Sequence, residues 1–362
     1  MKINRLPQFL LALCLPMMAM NAACAATSSL EGVWSGTIGK SPVLACFDSA
    51  DTGRYYYASR LYGIELWRDE TGRQWSEKTS GDDSTGAWRD LVVDKSELSG
   101  QWVSPSNGKA LSIRMHRKSD LVREGDGASC RTAAYDQPRL RATAIESGPE
   151  TTVSGHSMIK LSARDGQLTA LQIQESGVGI ATLNRTLKDE LLRRIVESYE
   201  CIQSGRPGEY VDNKDEVKFF KDGLIAIGET FNGTCGGPYP ASGLSVSTYD
   251  ALTGEPVGTE EWIRLENGSL PRELLSIISD IEFAPRDSRY AEEDAAIKAD
   301  CQSAWLEQGS FGYVIWPADG GLYFSPEFPH VIQACGDDVL VPFKQLDPFW
   351  SEIGKKALHR LK

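Results

Sequence analysis

The chain has 362 residues, a length that predicts roughly two domains. Its formal net charge is −12, and an acidic surface repels nucleic acid and anionic lipid, which excludes both as expected partners. The same charge speeds the encounter with a cationic protein, although it also serves solubility alone.

Residues 1–26 have the pattern of a secretory signal peptide. Basic residues precede an apolar run, and small residues follow up to Ala26. Cleavage is expected near Ala25 or Ala26, which makes the mature protein periplasmic or secreted. Lipidation of Cys24 is disfavoured, because Asn21 occupies the position where a leucine-like residue is usual. No later apolar run is long enough to cross a bilayer, so we expect no membrane span.

The cysteines indicate a crosslinked protein. Of the 8 cysteines, two lie in the predicted leader, and the others are Cys46, Cys130, Cys201, Cys235, Cys301 and Cys335. An even number in an exported chain favours disulfides over zinc binding or catalysis. Six cysteines allow 15 pairings, and the sequence alone does not select one of them. The pairs that we predict are Cys46 with Cys130, Cys201 with Cys235 and Cys301 with Cys335.

Residues 27–118 divide into short segments of strand character, separated by turn signals such as Asn107-Gly108. Eight short antiparallel strands of even spacing predict an all-β meander barrel. Gly32-Val33-Trp34 resembles the start of lipocalin-like barrels, in which the tryptophan plugs one end, although an ordinary core role explains Trp34 more simply. A barrel of this size can enclose a small molecule, so a small-ligand carrier is one alternative function.

The polar, glycine-rich stretch 119–142 is predicted to connect the barrel to a second domain, residues 143–362. That domain mixes helices and strands without a regular βαβ rhythm, which predicts an α+β fold. A helix over 183–202 has one apolar stripe, and Asn184 is a candidate to cap its first turn. Later helices are predicted at about 273–278 and 290–308.

No motif for catalysis or metal binding is present, so we predict a protein that is not an enzyme and needs no cofactor or metal. The segment 154–157 offers serine and histidine, but adjacent residues on an extended chain point to opposite faces. The acidic run 212–216 lacks the central glycine and distal glutamate of a calcium loop, so we interpret it as a solvated charged turn. Carboxylates can still be paired in space, which leaves an envelope hydrolase acting on peptidoglycan as another alternative.

The loop 236–240 is the strongest candidate for a contact site. Gly236 and Gly237 allow positive φ, whereas Pro238 and Pro240 fix φ on either side of Tyr239, an amphipathic ring. In one interpretation the loop is only a tight hairpin connection. In the other, Tyr239 anchors a partner from a loop that is ordered before binding. Cys235 would then hold the base of the loop.

Three segments together carry a family resemblance: the loop 236–240, the turn 250–254 and the run 324–346. They resemble the extracytoplasmic domain of the RsiV-type anti-sigma factors, which also occurs as an accessory domain in some peptidoglycan deacetylases. The resemblance covers residues 143–362 and implies a domain that binds lysozyme. The predicted leader and lipocalin-like barrel precede it here in place of a sigma-binding segment and a transmembrane helix, so we do not expect an anti-sigma role.

These observations lead to one functional prediction. The chain is expected to be a periplasmic, disulfide-stabilised binding protein that recognises or inhibits a cationic lysozyme or another muramidase by blocking its cleft. A related version makes it an immunity protein against a secreted toxin that attacks the envelope.

Overall fold

The computed structural model describes residues 29–78, 84–124, 127–202, 209–235, 239–284, 301–305 and 312–361. The predicted signal peptide and residues 236–238 of the candidate loop lie outside these ranges. Of the helix predicted over 290–308, only residues 301–305 are described, and they are helical.

An antiparallel barrel forms the N-terminal part of the protein. Each strand pairs with the next in the chain, and the eighth pairs back with the first. The strands are β1 (Gly32–Ile38), β2 (Ser41–Phe47), β3 (Thr52–Tyr57), β4 (Ile64–Arg68), β5 (Gln74–Lys78), β6 (Ala87–Asp94), β7 (Glu97–Val103) and β8 (Ala110–Ser119). The predicted closed meander barrel is therefore confirmed.

Aromatic side chains fill the interior of the barrel. The buried aromatic residues of this core are Trp34, Phe47, Tyr55, Trp75 and Trp88. Trp34 is fully buried, and the guanidinium group of Arg117 on β8 lies 4.3 Å from its ring centroid. These rings occupy the barrel interior, and a cavity of about 790 Å³ remains beside Trp75, Leu91 and Val93.

A short connecting unit follows the barrel. It contains the hairpin of β9 (Val122–Glu124) and β10 (Gly127–Ser129), then helix α1 (Ala133–Ala142). Thr132 caps this helix, because its side chain accepts a hydrogen bond from the backbone N–H of Tyr135.

The C-terminal part is built on a seven-stranded sheet whose strands follow chain order. Its elements are β11 (Ile145–Val153), β12 (His156–Ala163), β13 (Leu168–Ile173), α2 (Val178–Cys201), β14 (Tyr210–Lys221), β15 (Leu224–Thr234), β16 (Ala241–Asp250) and β17 (Pro256–Val257). β13 and β14 are parallel and are joined through α2, whereas the other neighbours are antiparallel.

Helix α2 packs against this sheet with the predicted stripe, whose members Leu183, Leu187, Leu191, Ile195, Tyr199 and Ile202 are all buried. The helix begins at Val178, earlier than predicted, so Asn184 lies inside it. The capping role predicted for Asn184 is therefore wrong. Its side-chain amide instead bonds the N–H and the C=O of Ile173, each at 2.8 Å, and so attaches α2 to β13.

A second sheet and several short helices complete the fold. They are α3 (Arg272–Glu282), β18 (Tyr313–Ala318), β19 (Gly321–Pro326), β20 (Val339–Pro342), α4 (Phe343–Leu346) and α5 (Glu352–Leu361). The three strands form an antiparallel sheet in chain order, and their side chains share a core with Phe219, Leu224 and Ala226 of the large sheet. Mixed helices and strands confirm the predicted α+β architecture.

Three disulfides are present in the described part of the chain, and they join the predicted pairs. Cys46–Cys130 links the barrel to the connecting unit, Cys201–Cys235 links the end of α2 to the end of β15, and Cys301–Cys335 lies in the C-terminal part. This number of disulfides is consistent with an oxidising compartment. None of the helices in the described ranges has the length and hydrophobicity needed to cross a membrane.

Candidate functional site

Tyr239 and Pro240, the described residues of the candidate loop, lie at the tip of the long β15–β16 hairpin. The two strands pair from Leu224 with Asp250 at one end to Gly233 with Ala241 at the other. The Cys201–Cys235 disulfide fixes the first side of the tip to helix α2. On the second side, Tyr239 is 72% exposed, so its ring is not part of the protein core.

A groove of about 490 Å³ runs beside this tip. The hairpin forms one wall, and β18, β19 and the 3-10 turn His330–Cys335 form the other. The lining side chains include Thr230, Asn232, Ser242, Leu244, Val314, Pro326, Phe328, Gln333 and Asp338. Gln333 reaches across the groove, where its Nε2 donates to the backbone oxygen of Ser242 at 3.4 Å. The segment 324–346, which carries part of the family resemblance, therefore lies against the hairpin close to the loop.

The turn 250–254, which also carries the resemblance, has a structural role. Asp250 Oδ1 accepts hydrogen bonds from the N–H groups of Leu252 and Thr253, at 2.8 and 3.2 Å. Gly254 has a φ of 78°, and a Cβ at this position would lie 2.4 Å from the backbone oxygen of Gly179. Only glycine fits such a close approach, so this motif fastens the sheet to the start of α2.

The acidic run 212–216 is not a solvated turn, and that prediction is wrong. These residues form the first half of strand β14, and alternate side chains enter the interface under α2. Asp215 is buried there, and its register partner on β15 is Glu229. Arg194 of α2 supplies the compensating charge from a distant part of the sequence.

Arg194 holds both carboxylates. Its Nη1 lies 2.6 Å from Asp215 Oδ1, and its Nη2 lies 2.9 Å from Glu229 Oε2. Asn213 Nδ2 donates to the other oxygen of Glu229 at 2.5 Å. Burial raises the pKa of the Asp215 carboxyl to about 6, and the charge of Arg194 only partly offsets this effect.

This group of charges lines a small cavity of about 230 Å³, together with Tyr249 and Ser247 of β16. The sequence patterns described above did not predict this cavity. The available signal was Arg194 itself, which lies three residues after Leu191 and therefore on the buried face of α2. A charged residue on such a stripe implies a buried partner.

The segment 154–157 does not bring together a nucleophile and a base. His156 bonds Glu175, and its ring stacks on Phe220 with centroids 3.4 Å apart. Ser157 bonds Glu150 instead. Within the described ranges, no group of three or more His, Cys, Asp or Glu residues is arranged to hold a metal ion.

Comparison with known proteins gives similar structures only. No family model matches the chain, and no curated protein matches its sequence. A DUF3298 family protein from Pseudomonas aeruginosa PAO1 is similar with a TM-score of 0.35 and 14% identity, covering 58% of this chain and 94% of its own. A DUF3298 family member from Bacteroides fragilis NCTC 9343 is similar with a TM-score of 0.37 and 10% identity, covering 61% and 98%. These similarities assign no partner or site residue to the chain.

Proposed function

We propose that the protein is an exported binding protein that recognises and inhibits a basic cell-wall-degrading enzyme of the lysozyme type. The observation that carries this proposal is the exposed ring of Tyr239, which stands on a hairpin tip fastened by Cys201–Cys235. An aromatic side chain on a tethered loop loses little conformational entropy when it binds. The resemblance of residues 143–362 to a lysozyme-binding domain supports the class of partner.

Charge supports the same class of partner. The chain has a formal net charge of −12, and a basic enzyme would be drawn to it from a distance. Steering of this kind raises the association rate and weakens as salt is added. Inhibition is then steric, because the tip enters the substrate cleft and the binding protein supplies no chemistry.

Calorimetry with a panel of purified muramidases at low salt tests the proposal. We expect Tyr239→Ala to weaken the complex by roughly 2 kcal/mol or more, the loss typical of a hot-spot aromatic. Trp67→Ala is the matched control, because Trp67 is an exposed aromatic residue on strand β4 of the barrel and not on the hairpin. If no muramidase in the panel bound the protein, the proposal would be rejected. If the two variants lost the same amount of affinity, Tyr239 would have no special role in binding.

The immunity version uses the same surface against a different enzyme. A secreted toxin that degrades the envelope has a cleft of the same general kind, so the tip would block it in the same way. Including such toxins in the panel separates the two versions, because the preferred partner is the one with the lowest Kd.

A hydrolase is the second candidate, and one observation favours it. Asp215 has a pKa raised to about 6 and shares a cavity with Glu229, and a protonated acid beside a second carboxylate is the pair that glycoside hydrolysis needs. Against it, both carboxylates are bound to Arg194. Incubation with peptidoglycan decides the matter: fragments released by the natural chain and not by Asp215→Asn would support the hydrolase.

A further inference from the structure

Among the residues that the structure describes, one stretch of strand edge beside the groove has no strand partner. β16 pairs with β15 along its length, but it pairs with β17 only at Thr248 and Tyr249. β18 lies near β16, yet it pairs with β19. Within the described ranges, no strand pairs with the outer edge of residues 242–244, which line the groove.

The direction of the backbone groups follows from two hydrogen bonds at the end of β16. The N–H of Asp250 donates outward to the oxygen of Glu255, and the N–H of Ala251 donates inward to Gly223 beside β15. Backbone groups of successive residues on a strand point to opposite sides. The N–H and C=O groups of Ser242 and Leu244 therefore point outward.

Gln333 already uses part of this edge. Its Nε2 donates to the Ser242 backbone oxygen, and its Oε1 lies 3.2 Å from Ser242 Oγ. A side-chain amide has the same donor and acceptor groups as a peptide unit. Gln333 thus occupies the position that the backbone of an added strand would take, and it is attached through a side chain that can rotate away.

The charged residues that line the groove indicate which kind of ligand it would bind. Glu327 and Asp338 are exposed on its wall, and none of the described residues that line it is Lys, Arg or His. Two carboxylates in the groove that residues 242–244 also line favour an extended segment that carries basic side chains. The groove lies close to the Tyr239 tip along the chain, because Ser242 follows Tyr239 by three residues.

We propose that the outer edge of β16 at Ser242 and Leu244 takes up an extended, basic segment of the partner as an added strand. The main-chain hydrogen bonds would supply affinity, and the carboxylates of Glu327 and Asp338 would select Lys or Arg. This proposal deepens the proposed function and rests on it for the identity of the partner. With strand addition, the partner contacts the hairpin along β16. With Tyr239 alone, it would contact the hairpin only at the tip.

A synthetic peptide tests the edge without any muramidase. The probe is the alternating hexapeptide Lys-Val-Lys-Val-Lys-Val, and binding to the full chain is followed by the hydrogen exchange of individual amides. We expect slower exchange of the Leu244 N–H on binding, since an added strand would cover it. Two control peptides are the N-methylated form, which cannot donate along the strand, and the Glu-Val form, which reverses the charge. Neither should bind.

Two pairs of variants distinguish the contribution of main-chain hydrogen bonds to peptide binding from the contribution of the acidic side chains. Leu244→Pro removes the outward N–H at a position where an edge strand tolerates proline, and Leu244→Ala keeps that N–H. We expect the first to weaken peptide binding at least about tenfold more than the second, the effect of one lost hydrogen bond. The double variant Glu327→Lys/Asp338→Lys should also weaken binding. Its matched control is Asp94→Lys/Glu97→Lys, which makes the same charge change on the barrel and should have a smaller effect.

The outcomes distinguish this inference from the proposed function. A muramidase that binds without protecting the Leu244 amide would overturn strand addition and leave the binding function intact. Peptide binding with protection of that amide, when no muramidase binds, would support strand addition and reject the enzyme as partner. Equal binding of the N-methylated peptide would also overturn strand addition, because a bound chain without donors is not an added strand.

Discussion

Arg139 and Glu200 form an ion pair that joins the connecting helix α1 to the end of α2. Arg139 is completely buried, and its Nε donates to the backbone oxygen of Leu61 in the barrel at 2.8 Å. Its guanidinium group also lies 4.0 Å from the ring centroid of Tyr56 and 5.1 Å from that of Tyr135. One arginine therefore contacts the barrel, the connecting unit and the C-terminal part.

Replacing this arginine should loosen the junction. We expect Arg139→Met to lower the free energy of unfolding by about 3 kcal/mol, because Glu200 would keep only its longer 3.6 Å contact with Arg54 and Leu61 would lose a buried donor. Urea unfolding measured by tryptophan fluorescence and by circular dichroism should change from coincident transitions to separate ones.

The control for Arg139 is Arg193→Met. Arg193 forms ion pairs with Glu190 and Glu197 on the exposed surface of α2, and pairs of this kind contribute less than about 1 kcal/mol. Equal destabilisation by the two variants would contradict the role given to Arg139.

Most of the architecture could be predicted because the signals for it are local. Strand alternation and turn residues defined the barrel, and the stripe from Leu183 to Ile202 defined the buried face of α2. The buried charges could not be predicted in the same way. Arg139 and Arg194 meet partners that are distant in sequence, and polar residues look solvated when their partners are unknown. The prediction of a solvated turn at 212–216 was wrong for that reason. The buried carboxylate of Asp215 is stabilised by Arg194, whose position beside it the sequence does not reveal.

The proposed contact site was only partly accessible to sequence reasoning. Glycine and proline around Tyr239 identified a turn, and the structure shows that the ring is exposed there. The groove could not be predicted, because it depends on how the second sheet packs beside the hairpin. No local pattern indicates that Gln333 would reach Ser242.

The buried Asp215 should make stability depend on pH. Its pKa is raised from 3.8 to about 6, so the native state binds more protons than the unfolded state between these values. The contribution of Asp215 to stability is therefore greatest below about pH 4 and falls as the pH rises through about 6. A shift of this size corresponds to an energy on the order of 3 kcal/mol.

The pH effect can be isolated by comparing the protein with Asp215→Asn in urea unfolding at several pH values. Both proteins should also carry Asp136→Asn, because burial raises the pKa of Asp136 to about 6 as well. The difference in unfolding free energy between the two should decline from acidic to neutral pH. A difference that stays constant, or that grows with pH, would contradict the raised pKa.

The disulfide at the hairpin tip should affect binding more than its effect on stability suggests. Removing Cys201–Cys235 by a double serine substitution should cost about 4 kcal/mol in the chain-entropy model. Removing Cys46–Cys130, which closes a longer loop, should cost about 5 kcal/mol. Only the first fastens the Tyr239 tip, so we expect muramidase affinity to fall in the first variant and to persist in the second. Calorimetry on both folded variants checks this order, and a larger affinity loss in the barrel variant would refute it.

A buried carboxylate should hold one end of the barrel core together. Glu77 is 2% exposed and accepts hydrogen bonds from Tyr55 Oη at 2.5 Å, Trp102 Nε1 at 2.6 Å and Thr85 Oγ1 at 2.8 Å. Burial, followed by the charge of Glu77, raises the pKa of Tyr55 well above its usual value. A substitution without acceptors would remove this partner from the buried Tyr55 hydroxyl and the half-buried Trp102 ring N–H, whereas the exposed Thr85 hydroxyl can bond to water instead.

We therefore expect Glu77→Leu to destabilise the barrel by about 2 kcal/mol, since a buried donor left unpaired costs roughly 1 to 3 kcal/mol and Tyr55 is the fully buried donor of the three. Glu77→Gln should cost less, because the amide oxygen still accepts hydrogen bonds. Urea unfolding followed by tryptophan fluorescence measures both values, and spectrophotometric titration should show Tyr55 ionising at a lower pH in the glutamine variant. If the two variants were equally stable, the hydrogen bonds to Glu77 would contribute nothing and the barrel would rest on its aromatic packing alone.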